Sequence, residues 1–108
     1  MDPLEVVVVL TTWPADADPS SAASALVEER LAACVNVWPP MESIYRWHGK
    51  VERAAERQIL IKTTRLVVED LVARVKSLHP YDVPEVLVLP VTGGGAEYLR
   101  WVAEATGR

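Results

Sequence analysis

Fourteen residues from Cys34 to Trp47 show no helical period, and a second extended run, Lys50 to Thr63, follows after only His48 and Gly49. Glycine takes positive φ freely and histidine tolerates it better than most residues, so His48-Gly49 predicts a two-residue hairpin turn. At ~3.3 Å per residue the first arm would span ~46 Å if straight, against a radius of gyration of ~13 Å for a domain of this size. Pro39-Pro40 forces a bend or bulge within it, yet the tip from Ile44 to Val51 should still project beyond its own subunit. That tip carries Ile44, Tyr45 and Trp47. An aromatic edge ribbon left in water invites aggregation. The hairpin is therefore expected to pack on, or add a strand to, a neighbouring subunit.

The rest of the chain has to fit around this hairpin. Glu5 to Thr12 contains four consecutive valines and Leu10, a β-branched run that reads as a strand buried on both faces and ended by Trp13-Pro14. Asp18 before Pro19 predicts an N-cap and first helical residue. From Pro19 to about Ala33, Ala23, Leu26, Val27 and Leu31 form an apolar stripe with Ser21, Ser24 and Glu28 opposite. Arg30 falls inside that stripe, where it must snorkel or pair. Thr64 is placed to cap a second helix with the stripe Val68, Leu71, Val72, Val75 and Leu78, which ends before Pro80. Glu85 to Val91 reads as another buried strand. Gly93-Gly94-Gly95 breaks the chain, and Ala96 to Ala105 forms a short helix with Tyr98, Leu99 and Val102 on one side.

The order β-α-β-β-α-β-α is an α+β pattern. With right-handed crossovers it gives a ferredoxin-like βαββαβ sandwich with an extended hairpin and a C-terminal helix, one domain over residues 1–108. Two crossover helices cover one face of such a sheet. The first and last strands are apolar at nearly every position, so the other face needs cover as well.

Several function classes drop out. The net charge is −4, with acids and bases interspersed, so the concentrated basic face of a nucleic-acid binder is missing. No apolar run approaches the ~20 residues of a membrane span. Met1 to Glu5 has no basic leader, and Cys34 is the only cysteine, so no internal disulfide or zinc knuckle can form. A cytoplasmic protein is expected. Phe is absent, yet Trp13, Trp38, Trp47 and Trp101 are present, and some of these should lie at interfaces.

Polar chemistry is concentrated in Leu78-His79-Pro80-Tyr81-Asp82-Val83-Pro84-Glu85, on backbone stiffened by two prolines. The segment is either a site or a helix-to-strand turn. His79 is either a ligand or a structural histidine at a helix C-terminus. Cys34 is either a small buried hydrophobe or, beside an imidazole, a nucleophile. His48, in the turn, offers weak surface metal binding at most.

Five blocks sharpen these choices: Leu26–Asn36, Ser43–Val51, Ile61–Thr64, His79–Glu85 and Tyr98–Trp101. In order, and over essentially the whole chain, they resemble the CutA family of divalent-cation tolerance proteins. The resemblance implies a ferredoxin-like homotrimer related in architecture to the PII signalling proteins. It also implies a part in tolerance to copper and other divalent metals. No cofactor is required and no reaction is attached; Cu(II) or another divalent cation is an implied ligand. In some relatives the proposed copper ligands are a cysteine near the end of the first strand and a His-His pair. The matching positions here are Thr11, Leu78 and His79, so only the last is kept. One imidazole without that thiolate is a poor Cu(II) site.

His79 and Cys34 are accordingly the metal candidates. Asn36, Trp47, Lys62, Tyr81 and Glu85 belong to the family blocks and are polar or aromatic where packing alone would choose aliphatic residues. They are the ligand-binding candidates, placed in a cleft between subunits with Lys62 as charge partner; an interface ion pair of Lys62 with Glu85 is the plain alternative. The leading function is a trimeric cytoplasmic ion- or small-ligand-binding protein supporting metal tolerance, not an enzyme. An enzyme at the cleft and a purely structural scaffold are the alternatives. No GxSxG, HExxH or phosphate-binding glycine loop favours the enzyme, and Glu97 opposes anion binding at the last helix.

Overall fold

Seven elements follow one another along residues 2–107, the part of the chain described by this computed structural model. They are β1 (Val6–Pro14), α1 (Ser20–Glu28), β2 (Cys34–Trp47), β3 (Lys50–Thr64), α2 (Val68–Leu78), β4 (Leu87–Pro90) and α3 (Ala96–Ala105). The strands form one sheet in the order β2-β3-β1-β4, with every neighbouring pair antiparallel. This is the expected ferredoxin-like arrangement, extended by α3.

The hairpin turns at His48 (φ 49°) and Gly49 (φ 79°), both left-handed, the geometry whose twist suits a two-residue connection. The prolines act as a bulge. Val37 pairs with Ile59 but Pro40 with Arg57, so Trp38 and Pro39 face the single Gln58. The Arg57 guanidinium donates to the bulged Trp38 carbonyl at 3.3 Å. Beyond this bend the hairpin arms account for much of the molecule's 43 Å long axis.

Alternation along the strands assigns the two faces. Val9, Trp13, Ile59 and Ile61 meet Leu26 and Leu31 near the first helix and Val67, Leu71 and Val75 near the second, forming the main core. On the other face, among the described residues, α3 packs at one end of the sheet: Val102, with Leu99 and Ala105, closes over Val6, Ala33 and Val91. The Thr64 and Thr106 hydroxyls share a buried hydrogen bond there. The next two rows of that face lie open. Cys34, Lys62, Val8 and Leu89 form one, and Asn36, Leu60, Leu10 and Leu87 the other.

Several sequence expectations need correction. β1 runs on through Trp13-Pro14, and β3 takes in Thr64, which therefore does not cap α2; Val67 holds that position without a side-chain bond. The last strand is Leu87–Pro90 rather than Glu85 to Val91, and it is an exposed edge, not a buried strand. Its apolar composition reflects a face that one chain leaves open.

α1 stops at Glu28, five residues before Ala33. The N–H groups of Arg30 and Leu31 bond back to the carbonyls of Val27 and Leu26, which terminates the helix with Arg30 at φ 60°. Arg30 thus neither snorkels nor belongs to the stripe, and Val27 is exposed. At the other end Pro19, not Asp18, holds the N-cap position and Ser20 is the first helical residue. The Asp18 carboxylate accepts the Ser20 N–H at 2.9 Å just ahead of it, and that bond holds its pKa below the usual value. A β-carbon at left-handed φ is strained. Arg30→Gly should therefore raise stability by about 1 kcal/mol, read as a higher urea midpoint at unchanged slope.

Candidate functional site

Pro80 disfavours helical backbone at the residue before it, and His79 accordingly leaves α2 in an extended conformation (φ −74°, ψ 137°). Its ring turns under the end of β1, 8% exposed, with the Trp13 ring at 4.3 Å and the Tyr81 ring at 5.0 Å. Nε2 lies 2.6 Å from the Thr12 carbonyl, and Nδ1 lies 3.0 Å from the Tyr81 amide nitrogen. A carbonyl only accepts and an amide N–H only donates, so Nε2 carries the hydrogen and Nδ1 offers its lone pair inward. Both ring nitrogens are occupied. The geometry is that of a buried, hydrogen-bonded histidine.

Tyr81 extends the chain of bonds. Its hydroxyl donates to Glu56 Oε2 at 2.9 Å, and Glu56 is only 8% exposed, on β3 where the hairpin leaves the body of the sheet. Burial first, and then the neighbouring carboxylate, push the Tyr81 phenol up to about 12. Four pieces of chain meet in this way: the end of β1, the hairpin base, the end of α2 and the loop before β4. Glu56 was not singled out from the sequence, because it sits in a run of alternating charge, Glu52 to Gln58, that looks uniformly solvated.

A second group gathers on the open face. Cys34 stands opposite Lys62 in the β2–β3 ladder, and Asn36 lies one row further along. The Cys34 thiol points to Asn36 Oδ1 at 3.8 Å, while Lys62 Nζ lies 5.6 Å from the centre of the Tyr98 ring. Tyr98 in turn leans on Trp101 at 5.5 Å. Tyr98 was read only as part of a helical stripe, and its half-exposed ring is what α3 contributes to this cluster.

One chain does not assemble all seven candidates. Lys62 shares its row with Val8 of β1, whereas His79 binds the carbonyl of Thr12, four residues (~13 Å) further along the strand. Cys34 and His79 are thus apart, on opposite faces of the sheet. Among the described residues no three His, Cys, Asp or Glu side chains are grouped to hold a metal ion. Trp47 sits at the hairpin tip, half exposed and edge-on to His48. Glu85 is exposed ahead of β4, and Lys62 and Glu85 form no ion pair within the chain.

Removing the Tyr81 hydroxyl leaves the buried Glu56 carboxylate without its donor. Tyr81→Phe should cost about 1–3 kcal/mol of stability. Raising the folded-state pKa favours the neutral phenol, so its stabilisation is complete below pH 10 and is lost as the pH rises through about 12. Tyrosinate absorbance should show a component ionising near pH 12 that is absent from Tyr81→Phe.

Comparison with known proteins agrees with this architecture. Residues 7–105 match the family model described as CutA1 divalent ion tolerance protein. The divalent-cation tolerance protein CutA of Thermus thermophilus is 52% identical over 100 residues, 93% of this chain and 97% of that protein. CutA1 from Oryza sativa superposes with a TM-score of 0.90 at 42% identity, covering 95% of this chain and 94% of that one. The periplasmic divalent cation tolerance protein CutA from Archaeoglobus fulgidus superposes at 0.89 and 31% identity, covering 94% and 99%. With a matched span of nearly the full chain and identity above half over nearly all of a relative, this chain belongs to the CutA1 divalent ion tolerance family.

Proposed function

We propose that the chain acts as a homotrimer whose subunits close over the open sheet face, and that it serves divalent-cation tolerance by binding a ligand in the clefts between them. The observation that carries this reading is the state of β4 and its surroundings. Leu87 is 53% and Leu89 41% exposed on a strand with no polar side chain, and Trp101 stands beside the same face. At the far end of the hairpin Val51 is 65% and Trp47 50% exposed. Fully burying each leucine contributes about 1.5–3 kcal/mol, and a second copy is a partner that is always present at matching concentration. Association also gives the long hairpin a surface on which to lie.

The ligand of this reading is a divalent cation such as Cu(II) or a small molecule, and the role is binding, not catalysis. His79 is engaged at both nitrogens and Tyr81 is held protonated, which supports structural roles for both. Metal binding by Cys34 and His79 would need donors from more than one copy, since one chain separates them. A signalling role of the PII type would act through the same clefts. The cytoplasm suits the unpaired thiol of Cys34. Among the described residues no helix is long and apolar enough to cross a membrane.

Light scattering on a sizing column should give about three times the 11.9 kDa of one chain. Leu87→Asp combined with Leu89→Asp should reduce this to a single-chain mass with the circular dichroism of a folded protein. A wild type that runs as a monomer at micromolar concentration overturns the reading. Calorimetric titration with Cu(II) addresses the metal. Saturable binding weakened by Cys34→Ser or His79→Asn supports it, and identical isotherms for all three proteins remove both residues from any metal site.

A further inference from the structure

We infer that Lys62, Asn36 and Tyr98 form a site for a small monocarboxylate with an apolar body, at the border of the open sheet face. The inference rests on the reading that copies of the chain cover that face. Lys62 occupies the first open row, next to the row that α3 closes through Val6 and Thr64. Its row mates are Cys34, Val8 and Leu89, and the following row is Asn36, Leu60, Leu10 and Leu87. Lys62 is the one formally charged side chain in those two rows. Among the described residues it has no ion pair, only the face of the Tyr98 ring at 5.6 Å.

In a free subunit water solvates that ammonium. Covering the face removes the water, and a cation in apolar surroundings is costly unless an anion accompanies it. The donors nearby define the anion. Asn36 Oδ1 faces the Cys34 thiol, which leaves both amide N–H groups of Asn36 free. Asn36 and Lys62 are diagonal neighbours across the ladder, a separation that a lysine side chain bridges. One ammonium and one carboxamide match the two oxygens and single charge of a carboxylate. A phosphate would call for more positive charge or a run of backbone N–H groups, and this stretch of ladder offers neither. Leu60, Tyr98 and Trp101 supply an apolar wall for the remainder of the ligand.

The test is calorimetric titration of the intact protein with benzoate, with inorganic phosphate as the comparison arm, alongside light scattering. Expected is saturable benzoate binding, tighter than phosphate, that weakens about tenfold or more in Lys62→Gln and is largely kept in Lys62→Arg. Asn36→Leu, at an exposed edge position, should weaken it in the same direction and serves if Lys62→Gln does not fold. Wild-type protein that does not saturate with benzoate, or phosphate binding more tightly than benzoate, overturns the inference. So does Lys62→Gln that binds unchanged. Loss of assembly in Lys62→Gln without benzoate binding by the wild type means that an acid of the next copy neutralises the ammonium, which also overturns it. The two readings separate cleanly: an oligomer that ignores benzoate defeats this site alone, and a monomer that binds it defeats the association alone.

Discussion

The sheet has two apolar faces and the chain has helices enough for little more than one. α1 and α2 pack over Val9, Trp13, Ile59 and Ile61, and that face is a finished core. α3 reaches only the Val6–Thr64 end of the opposite face. Val8, Leu10 and Leu60 stay only partly buried, and Leu87 and Leu89 exposed, in rows that no helix closes among the described residues. This shortfall shapes the rest of the molecule. It explains an edge strand without polar residues, which in a free monomer would be a template for uncontrolled pairing. It also sets the environment of Lys62, whose cost of burial depends on whether that face is wet or dry.

The buried polar chain at the Pro14 end of β1 has a different purpose. Thr12, His79, Tyr81 and Glu56 connect donors to acceptors in sequence, from a β1 carbonyl to a β3 carboxylate. Each bond is short, and the rings of Trp13, His79 and Tyr81 pack at 4.3 and 5.0 Å. Such a network is worth its desolvation only when every member is satisfied. Here the His79 ring and the Tyr81 hydroxyl both are. The consequence is a junction tied by hydrogen bonds to β1 and to the loop before β4 where the hairpin leaves the sheet. A flexible junction would let a long ribbon with Ile44, Tyr45 and Trp47 sweep through solvent.

Much of this was legible in the residues. Element order, the His48-Gly49 turn, the bulge at Pro39-Pro40 and the α2 stripe all follow from local rules that tertiary structure did not override. The misreadings share a cause: periodicity reports which residues are apolar, not where the backbone changes direction. Leu31 belongs to the core, so its apolarity made α1 look longer, but it arrives there through a left-handed turn at Arg30 rather than through another helical turn. Leu87 and Leu89 are apolar and were read as buried, yet they are exposed, on an edge strand whose face no helix among the described residues closes. The two clusters of polar residues were not separable either, since which face a residue takes depends on register across strands far apart in sequence. Glu56 was hidden for the same reason.

A lysine on such a face raises a question of selection between charge and packing. An aliphatic residue in place of Lys62 would pack against Leu60, Val8 and Tyr98 with no desolvation cost, and replacing buried charge by apolar groups is often neutral or stabilising. Stability alone therefore gives no reason for a cation at this point. The neighbouring residues point the same way: Asn36 exposes two amide donors where a valine would strengthen the strand, and Tyr98 presents an aromatic face to the ammonium rather than an acid. Lys62 and Asn36 are less apolar than their surroundings and offer a positive charge and hydrogen-bond donors, while the negative face of the Tyr98 ring steadies the ammonium. A cation beside a pair of amide donors is what an anion requires and what a purely structural interface does not.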